Sequence, residues 1–152
     1  MKCPIDKTDM IVVEHQKIEL DFCTRCSGVW FDSRELELLV TVLKSQGYHL
    51  SEGDLLTPHQ AKVSEAKRKC PICRRDMQKV WLGKEPKVLI DRCPAGDGLW
   101  FDGGELSQVI CQLQTKDRAG ARDVISFLDN AFGATCKTDS KSLPVQKPNN
   151  QR

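Results

Sequence analysis

The chain has 152 residues, a formal net charge of +2 and eight cysteines. This length allows one ordinary domain or two very small ones, and the near balance of charges indicates neither an acidic nor a basic partner. No stretch is apolar for long enough to span a membrane, and no apolar run follows Met1. We therefore expect a cytoplasmic protein with no signal peptide and no membrane contact.

One short motif occurs twice and divides the chain. A cysteine followed seven residues later by Trp-Phe-Asp begins at Cys23 and again, 70 positions on, at Cys93. Each copy needs few residues besides the motif and the helix that follows it. The sequence therefore predicts two small units, the first unit over residues 1–46 and the second unit over residues 68–115.

The first unit is predicted to be a β-hairpin followed by a helix. Residues 10–13 and 18–22 are rich in β-branched and apolar side chains, which favours two strands. Gly28 follows in a turn that needs a residue tolerant of positive φ. The helix is predicted to begin at Asp32, which has the spacing of a capping box with Glu35. An apolar stripe that can cover the hairpin consists of Leu36, Leu39, Val40 and Leu43.

Residues 47–67 are predicted to form a helical connector. Thr57, Pro58 and Gln60 have the order of a helix start, with a cap, a proline in the first turn and a glutamine three residues after the cap. The helix that they begin, to about Lys69, is polar. We expect it to separate the two units rather than to join a core.

The second unit repeats the first. Residues 80–82 and 88–91 are its predicted strands, and Asp102 with Glu105 rebuilds the capping box. The apolar stripe of its helix consists of Leu106, Val109, Ile110 and Leu113.

Two further segments follow the second unit. A C-terminal helix is predicted over residues 116–134, because apolar residues recur there at helical spacing. Residues 135–152 are rich in lysine, serine, asparagine, proline and glutamine, a composition typical of a disordered tail.

Each unit carries three cysteines at turn-like spacings, together with an aspartate. Units this small cannot bury enough apolar surface to fold alone, and they usually need disulfides or a metal. In a cytosolic chain this spacing indicates structural zinc, and a secreted disulfide scaffold is the less favoured alternative. We expect two Zn2+ ions per chain, held by Cys3, Asp6, Cys23 and Cys26 in the first unit and by Cys70, Cys73, Cys93 and Asp97 in the second.

The fourth ligand of each site has alternatives. Asp6 stands where the second unit has Cys73, so we favour it, with His15 as the alternative. In the second unit a glycine replaces the matching cysteine and Asp97 comes one position later, so water or Asp91 could serve instead. Each aspartate could also be a turn residue that binds its own backbone. Iron–sulfur binding fits two separated sites less well than zinc does.

These features resemble the transcription factor zinc-finger family, which is named for its similarity to the zinc ribbon of general transcription factor IIB. The resemblance lies in Cys-Pro-x-Cys/Asp, a hairpin, Cys-x-x-Cys-x-Gly-Val-Trp-Phe-Asp and Glu-Leu, and it covers residues 1–43 and 68–113. It implies a tandem pair of zinc-ribbon units. Together with the segments predicted above, the expected fold is small α+β and metal-stabilised, with the two units joined by a helical connector and followed by a C-terminal helix and a disordered tail. The same resemblance implies that the six cysteines are zinc ligands, whereas fold analogy says little about function.

The favoured function is a non-enzymatic protein-interaction or assembly adaptor. Two rigid ribbons on a polar connector could hold one protein partner bivalently, although nothing in the sequence identifies that partner. No nucleophile–base pair, phosphate-binding loop or paired carboxylates indicate an enzyme.

The alternative function is a nucleic-acid-binding module related to transcription. Residues 67–92 contain nine basic and three acidic side chains, which suits contact with phosphates, and a tryptophan there could stack on a base. A solvated charged face with a packed tryptophan would give the same pattern. The candidate nucleic-acid contacts are Lys79, Trp81, Lys84 and Lys87.

Overall fold

The computed structural model describes residues 1–15, 17–45, 59–62, 64–83, 87–114 and 131, with the backbone alone described at residues 59, 60, 110, 111, 113 and 114. Seven strands form one antiparallel sheet in the order β1-β2-β3-β7-β6-β5-β4. The elements are β1 (Ile11–His15), β2 (Ile18–Phe22), β3 (Val29–Asp32), α1 (Ser33–Ser45), β4 (His59–Gln60), β5 (Gln78–Leu82), β6 (Val88–Arg92), β7 (Gly98–Phe101) and α2 (Glu105–Gln114). Within these described residues, neither helix is long and apolar enough to cross a lipid bilayer.

The two units join through their equivalent strands, β3 and β7. Trp30 lies opposite Trp100, and Val29 lies opposite Phe101. Since the paired strands are copies of one motif and run antiparallel, the two units are related by an approximate two-fold axis between the two tryptophans. The sequence predicted two units held apart by a connector, and the shared sheet corrects that part of the prediction. The physical reason is that both faces of β3 and β7 are apolar and buried, as in the central strands of a sheet.

Glycines allow the two units to approach closely at this junction. A Cβ atom on Gly28 would lie 2.1 Å from Cζ2 of Trp100, and one on Gly98 would lie 2.1 Å from the carbonyl oxygen of Phe31. The positive φ expected at Gly28 is instead found at Ser27, at 58°. Gly28 is therefore needed for space beside the opposite tryptophan rather than for its backbone conformation.

The main hydrophobic core lies between the sheet and the two helices. α1 packs on β2, β3 and β7, and α2 packs on β6. At the junction of the units, the rings of Phe31 and Phe101 meet edge to face with centroids 5.4 Å apart. The predicted stripe of the first helix is confirmed, because Leu39, Val40 and Leu43 are buried and Leu36 packs against them. In α2 the buried members are Leu106 and Val109, while the side chains of Ile110 and Leu113 lie outside the described residues.

A second buried cluster contains both tryptophans of the junction. Trp30 and Trp100 pack there with Met10, Met77 and the cysteines of both units. Adjacent residues of a strand point to opposite faces, so these tryptophans project away from the phenylalanines that face the helices. The cysteine-rich loops of the two units are thus anchored to one shared apolar layer.

The first helix has the predicted cap. The Asp32 carboxylate accepts hydrogen bonds from the backbone N–H groups of Arg34 and Glu35, at 2.8 and 2.9 Å. Glu35 does not complete a capping box, because its carboxylate accepts from the backbone N–H of Glu19 on β2, at 2.8 Å. The side chain of Glu35 therefore ties the helix start to the hairpin.

The second helix starts differently, which corrects the capping box predicted there. The Asp102 carboxylate accepts from the indole N–H of Trp100, at 2.7 Å, and from the guanidinium of Arg68. Glu105 supplies only the reciprocal half of the box, by accepting from the backbone N–H of Asp102 at 2.7 Å. The Arg68 guanidinium competes successfully with the backbone N–H groups for this carboxylate, because a hydrogen bond between two ionised groups is stronger than one from a neutral donor.

The described part of the connector is not helical. His59 and Gln60 form β4, which pairs with β5, and residues 64–68 are irregular. A polar helix has no apolar face to bury, whereas the edge of β5 offers unpaired backbone groups that a strand can satisfy. The remaining residues of the predicted connector, the C-terminal helix except residue 131 and the disordered tail lie outside the described residues.

Candidate metal centres

The first cysteine-rich cluster, called the first cluster below, brings together all four side chains predicted as ligands in the first unit. One ligand atom from each of Cys3, Asp6, Cys23 and Cys26 lies within 4.8 Å of the others. The Sγ atoms of Cys3 and Cys26 are 3.6 Å apart, and the Sγ of Cys23 lies 3.5 Å from Oδ2 of Asp6. Two tight turns and the end of β2 supply these groups.

The second cluster brings together the four side chains predicted in the second unit. Cys70, Cys73, Cys93 and Asp97 also place one ligand atom each within 4.8 Å. The Sγ atoms of Cys73 and Cys93 are 3.5 Å apart. Oδ2 of Asp97 lies 3.4 Å from the Sγ of Cys70 and 3.1 Å from that of Cys93.

The spacing inside both clusters suits a tetrahedral metal ion. With zinc–sulfur bonds of about 2.3 Å and zinc–oxygen bonds of about 2.0 Å, tetrahedral angles put two sulfurs about 3.8 Å apart and a sulfur and an oxygen about 3.5 Å apart. The sulfur–sulfur distances of 3.6 and 3.5 Å are close to the first value. The donor set, three thiols and one carboxylate in each cluster, is one that zinc accepts.

Three of the four metal-binding turns have the same shape. In the turn after Cys3, the backbone N–H of Lys7 bonds to the carbonyl of Cys3 at 3.1 Å, and Lys7 has a φ of 63°. The turns after Cys23 and Cys70 repeat this pattern, with Ser27 and Arg74 in the left-handed conformation. Non-glycine residues tolerate this strain where the surrounding structure fixes it.

The fourth turn is tighter, and its shape explains why its ligand is displaced by one position. Here the N–H of Gly96 bonds to the carbonyl of Cys93 at 3.1 Å, and Gly96 itself has a φ of 82°. The chain therefore turns one residue earlier than in the other three turns. As a result the side chain of Asp97 reaches the second cluster from the position after the missing cysteine.

Burial affects the acidity of the clusters. Desolvation raises the pKa of Cys3 to about 12 and that of Cys70 to about 12, so a metal ion must displace protons from these thiols. Hydrogen bonds from the hydroxyl and backbone N–H of Thr8 lower the pKa of Asp6 to about 2. Hydrogen bonds from Cys73 and Cys93 lower the pKa of Asp97. Both carboxylates are thus ionised at neutral pH.

The structure places the alternative ligands away from the clusters. His15 lies at the end of β1, opposite Ile18. Asp91 accepts from Arg68 at 3.0 Å and pairs with Lys79 at 3.2 Å, so it takes part in an ionic network rather than in the second cluster. Turn hydrogen bonding is present at Asp6 as well, since Oδ1 accepts from the N–H of Thr8 while Oδ2 faces Cys23.

No pattern in the sequence predicted the partly buried ionic network around Arg68. Arg68 bridges Asp91 and Asp102, and Lys79 bridges Asp91 and Glu65, at 2.8 Å to the latter. Burial is the largest influence on Asp91 and raises its pKa in spite of the two cations. The sequence shows Asp91 and Asp102 in a unit with an excess of basic residues, but it does not specify which of the basic side chains turn inward.

This network changes the list of nucleic-acid candidates. Lys79 is only 9% exposed and its ammonium is already paired, so it is not available to a phosphate, which corrects that prediction. Trp81 is 36% exposed on β5, and Lys87 is exposed. Lys84 lies outside the described residues.

In each unit, the metal-binding turn after the second strand of the hairpin also contacts the segment that begins the helix of the other unit. The carbonyl of Asp97 accepts a hydrogen bond from the N–H of Ser33, the first residue of α1, at 3.0 Å. At the equivalent place in the second unit, a Cβ on Gly103 would lie 2.7 Å from the carbonyl oxygen of Cys26. The two clusters are therefore linked through the backbone at the junction of the units.

Comparison with known families agrees with this architecture. Residues 2–41 and 69–111 each match the Transcription factor zinc-finger family, and together they cover more than half of the chain. The chain belongs to this family. It carries two zinc-ribbon domains, whose sequence features and cysteine-rich clusters indicate a zinc-binding module. No curated protein and no solved structure matches the chain.

Proposed function

We propose that both clusters hold zinc and that both ions are structural. Each cluster offers four protein donors, which fills a tetrahedral ion and leaves no position for a substrate or an activated water. The ions would fix the turns that carry Cys3 and Cys70, and those turns anchor the apolar layer around the two tryptophans. Elemental analysis of the purified protein should give two zinc ions per chain, and a content of one or none would contradict the proposal.

We further propose that the zinc-stabilised sheet is a protein-interaction adaptor. The observation that carries this proposal is the exposure of two equivalent isoleucines beside the metal sites. Ile5 is 42% exposed and Ile72 is 48% exposed, and each follows a Cys-Pro pair. Their backbone N–H groups donate to the Sγ atoms of Cys3 and Cys70, at 3.4 Å in both turns. Metal-fixed turns that expose branched apolar side chains suit contact with another protein.

The adaptor would act through one surface rather than through two independent modules. Because β3 and β7 belong to one sheet, the two ribbons have a fixed separation and do not need a flexible connector to bind together. The internal pairing of Arg68 and Lys79 also supports a protein partner over a polyanion, since these cations are already neutralised.

The second candidate function is nucleic-acid binding by the second ribbon. It is favoured by Trp81, which exposes part of its indole on β5, and by the exposed Lys87. Binding of this kind would weaken steeply as salt is raised, because phosphate contacts release counterions. A titration of single-stranded and duplex nucleic acid at low and high salt separates this function from the adaptor.

The adaptor proposal is tested by changing the two isoleucines. Ile5→Ser and Ile72→Ser should together remove proteins that co-purify with the wild type in native mass spectrometry, while the variant keeps both zinc ions. Leu38→Ser is the matched control, since Leu38 is 42% exposed on α1 and away from the metal turns. A wild-type protein with no retained partner, together with salt-sensitive nucleic-acid binding, would contradict the adaptor.

A further inference from the structure

The two outer edges of the sheet are built from equivalent strands but are covered differently. β5 is the counterpart of β1, because Cys70-Pro-Ile leads into β5 as Cys3-Pro-Ile leads into β1. β4 pairs with β5, whereas β1 is the outermost strand at its side of the described sheet. The exposed side chains on β1 are apolar at its start, with Ile11 50% and Val12 62% exposed.

The backbone of β1 is oriented to accept an added strand. On β5, the carbonyl of Lys79 accepts from the N–H of Ala61 at 2.8 Å, so the backbone groups of Lys79 point away from β6. In the first unit, Val12 occupies the position that Lys79 occupies in the second unit. Since the N–H and C=O of one residue point to the same side in an antiparallel ladder, those of Val12 and Glu14 point away from β2.

The charge beside this edge selects the kind of strand that fits. Glu14 lies directly opposite Glu19 on β2, and both are exposed. Like charges in directly opposed positions repel each other, and a cation placed next to them would relieve that repulsion. Asp21, two positions from Glu19 on the same face, lies 4.0 Å from the N-terminal ammonium of Met1, so the negative charge beside the edge comes mainly from Glu14 and Glu19. The counterpart of Glu14 in the second unit is Trp81, which lies opposite Leu89 and carries no charge.

We propose that the β1 edge binds an extended segment of a partner protein that carries a lysine or arginine opposite Glu14 and a small or branched apolar residue opposite Val12. This inference rests on the adaptor function and names one surface through which it would act. The chain itself supplies the template, because β4 adds to β5 with His59 at the position opposite Trp81. Main-chain hydrogen bonds would provide affinity, and the carboxylates would provide selectivity.

The test uses the full-length, zinc-loaded protein and two synthetic peptides. Both have the sequence of residues 57–68, with His59→Lys in one and His59→Glu in the other. The lysine peptide should bind to the wild type about tenfold more tightly than the glutamate peptide, because a favourable cross-strand charge pair replaces a repulsive one. Glu14→Lys in the protein should reverse this preference. Glu14 is exposed, so this variant should retain its fold.

A second variant tests whether the backbone of β1 is used. Val12→Pro removes an N–H group that points away from the sheet. This variant should bind the lysine peptide at least about tenfold more weakly than the wild type does. Val12→Thr, which keeps that N–H, is the control, and zinc content checks that both variants are folded. Peptide affinity that is equal in Val12→Pro and the wild type, or a preference that Glu14→Lys leaves unchanged, would overturn the proposal. Dimers of the wild type that Val12→Pro dissociates would also overturn it, since a second copy would then cover the edge.

These outcomes are separate from those of the adaptor test. Loss of co-purifying protein in the isoleucine variant with no peptide binding at β1 leaves the adaptor in place and removes only the edge proposal. Peptide binding that follows the expected charge pattern, in a protein that retains no partner, supports the edge and contradicts the adaptor as proposed.

Discussion

The Asp6 carboxylate performs two tasks with its two oxygens. Oδ1 accepts from the hydroxyl of Thr8 at 2.6 Å and from its backbone N–H at 3.1 Å, while Oδ2 is the oxygen nearer to the Sγ of Cys23, at 3.5 Å against 3.7 Å for Oδ1. The turn residue and the candidate ligand are therefore the same residue, and the sequence alternatives for Asp6 do not exclude each other. Thr8 holds the carboxylate in the orientation that presents Oδ2 to the cluster.

We predict that Thr8→Val weakens zinc binding at the first cluster by about tenfold, because groups that orient a ligand contribute this much to metal affinity. Competition with a calibrated chelator measures the change. Thr24→Val is the control, since Thr24 is exposed in a neighbouring turn. The protein should still reach two zinc ions at saturation, and unchanged affinity would show that Asp6 is not a ligand or that Thr8 does not orient it.

Glu105 gives a prediction about pH. Desolvation by burial raises the pKa of this carboxyl from 4.5 to about 7. Below pH 4.5 it is protonated in the folded and unfolded states alike, and between 4.5 and 7 only the unfolded state ionises freely. Stability is therefore lost as pH rises through this window and stays low above it. Glu105→Gln should remove this loss.

Glu105→Gln should raise the free energy of unfolding, relative to the wild type, by roughly 1 kcal/mol more at pH 8 than at pH 5. This value allows for solvent screening of a partly exposed group. Denaturant unfolding at the two pH values, in excess zinc, measures it. Glu35→Gln is the matched control, because it removes a negative charge from the equivalent position at the start of α1. A Glu105→Gln variant that is no more stable than the wild type at pH 8 would show that burial of the charge costs little.

At the scale of secondary structure elements, equivalent aspartates have different roles in the two units. Asp32 caps α1 through two backbone N–H groups. Asp102 instead neutralises Arg68 and accepts from the indole of Trp100, whereas the indole N–H of Trp30 has no partner among the described residues. The second unit therefore has a more extensive polar network beside its tryptophan than the first unit has.

We predict that Asp32→Ala and Asp102→Ala lower the free energy of unfolding by different amounts. Loss of the cap in Asp32→Ala should lower the free energy of unfolding by about 1 kcal/mol. Asp102→Ala should cost about 3 kcal/mol, because it leaves Arg68 with one partner fewer and the Trp100 indole with none. Chemical denaturation in excess zinc gives both values, and zinc content should stay at two ions per chain. Equal costs would contradict the assigned roles, and loss of a metal ion from either variant would show that the aspartate is a ligand.

Local patterns predicted the two hairpins and the helix that follows each of them, but not the strands β3, β4 and β7 or the pairing between the units. The cysteine spacing correctly predicted which cysteines and aspartates meet in the two clusters, because a turn of few residues constrains where its side chains can lie. The apolar stripe of the first helix, which contains Leu39, could be predicted from the sequence because helical periodicity depends only on neighbouring residues. The pairing of β3 with β7 and the contact of Arg68 with Asp102 join residues far apart in sequence, so no local pattern encodes them. The β4 strand was missed because its polar residues resemble a helix start, and only the edge of β5 makes them a strand.

At the scale of the whole molecule, the two ribbons share one sheet, one main core and a buried tryptophan layer. The carbonyl of Asp97 bonds to the start of α1 in the other unit, and Gly103 lies against the backbone at Cys26. Because the metal-binding loops of each unit form part of the junction, loss of metal from one cluster should loosen both units. The protein should therefore behave differently from a chain of two independent ribbons, in which each would fold with its own metal.

The most direct test is native mass spectrometry of the full-length protein under graded chelation, with circular dichroism recorded on the same samples. A cooperative fold that shares one sheet predicts two zinc ions per folded chain. It also predicts that chains with two zincs convert to metal-free, unfolded chains with little accumulation of a one-zinc form, over the same chelator range in which the sheet signal is lost. A folded one-zinc species that accumulates over a wide range, or a sheet signal that survives removal of both ions, would contradict it.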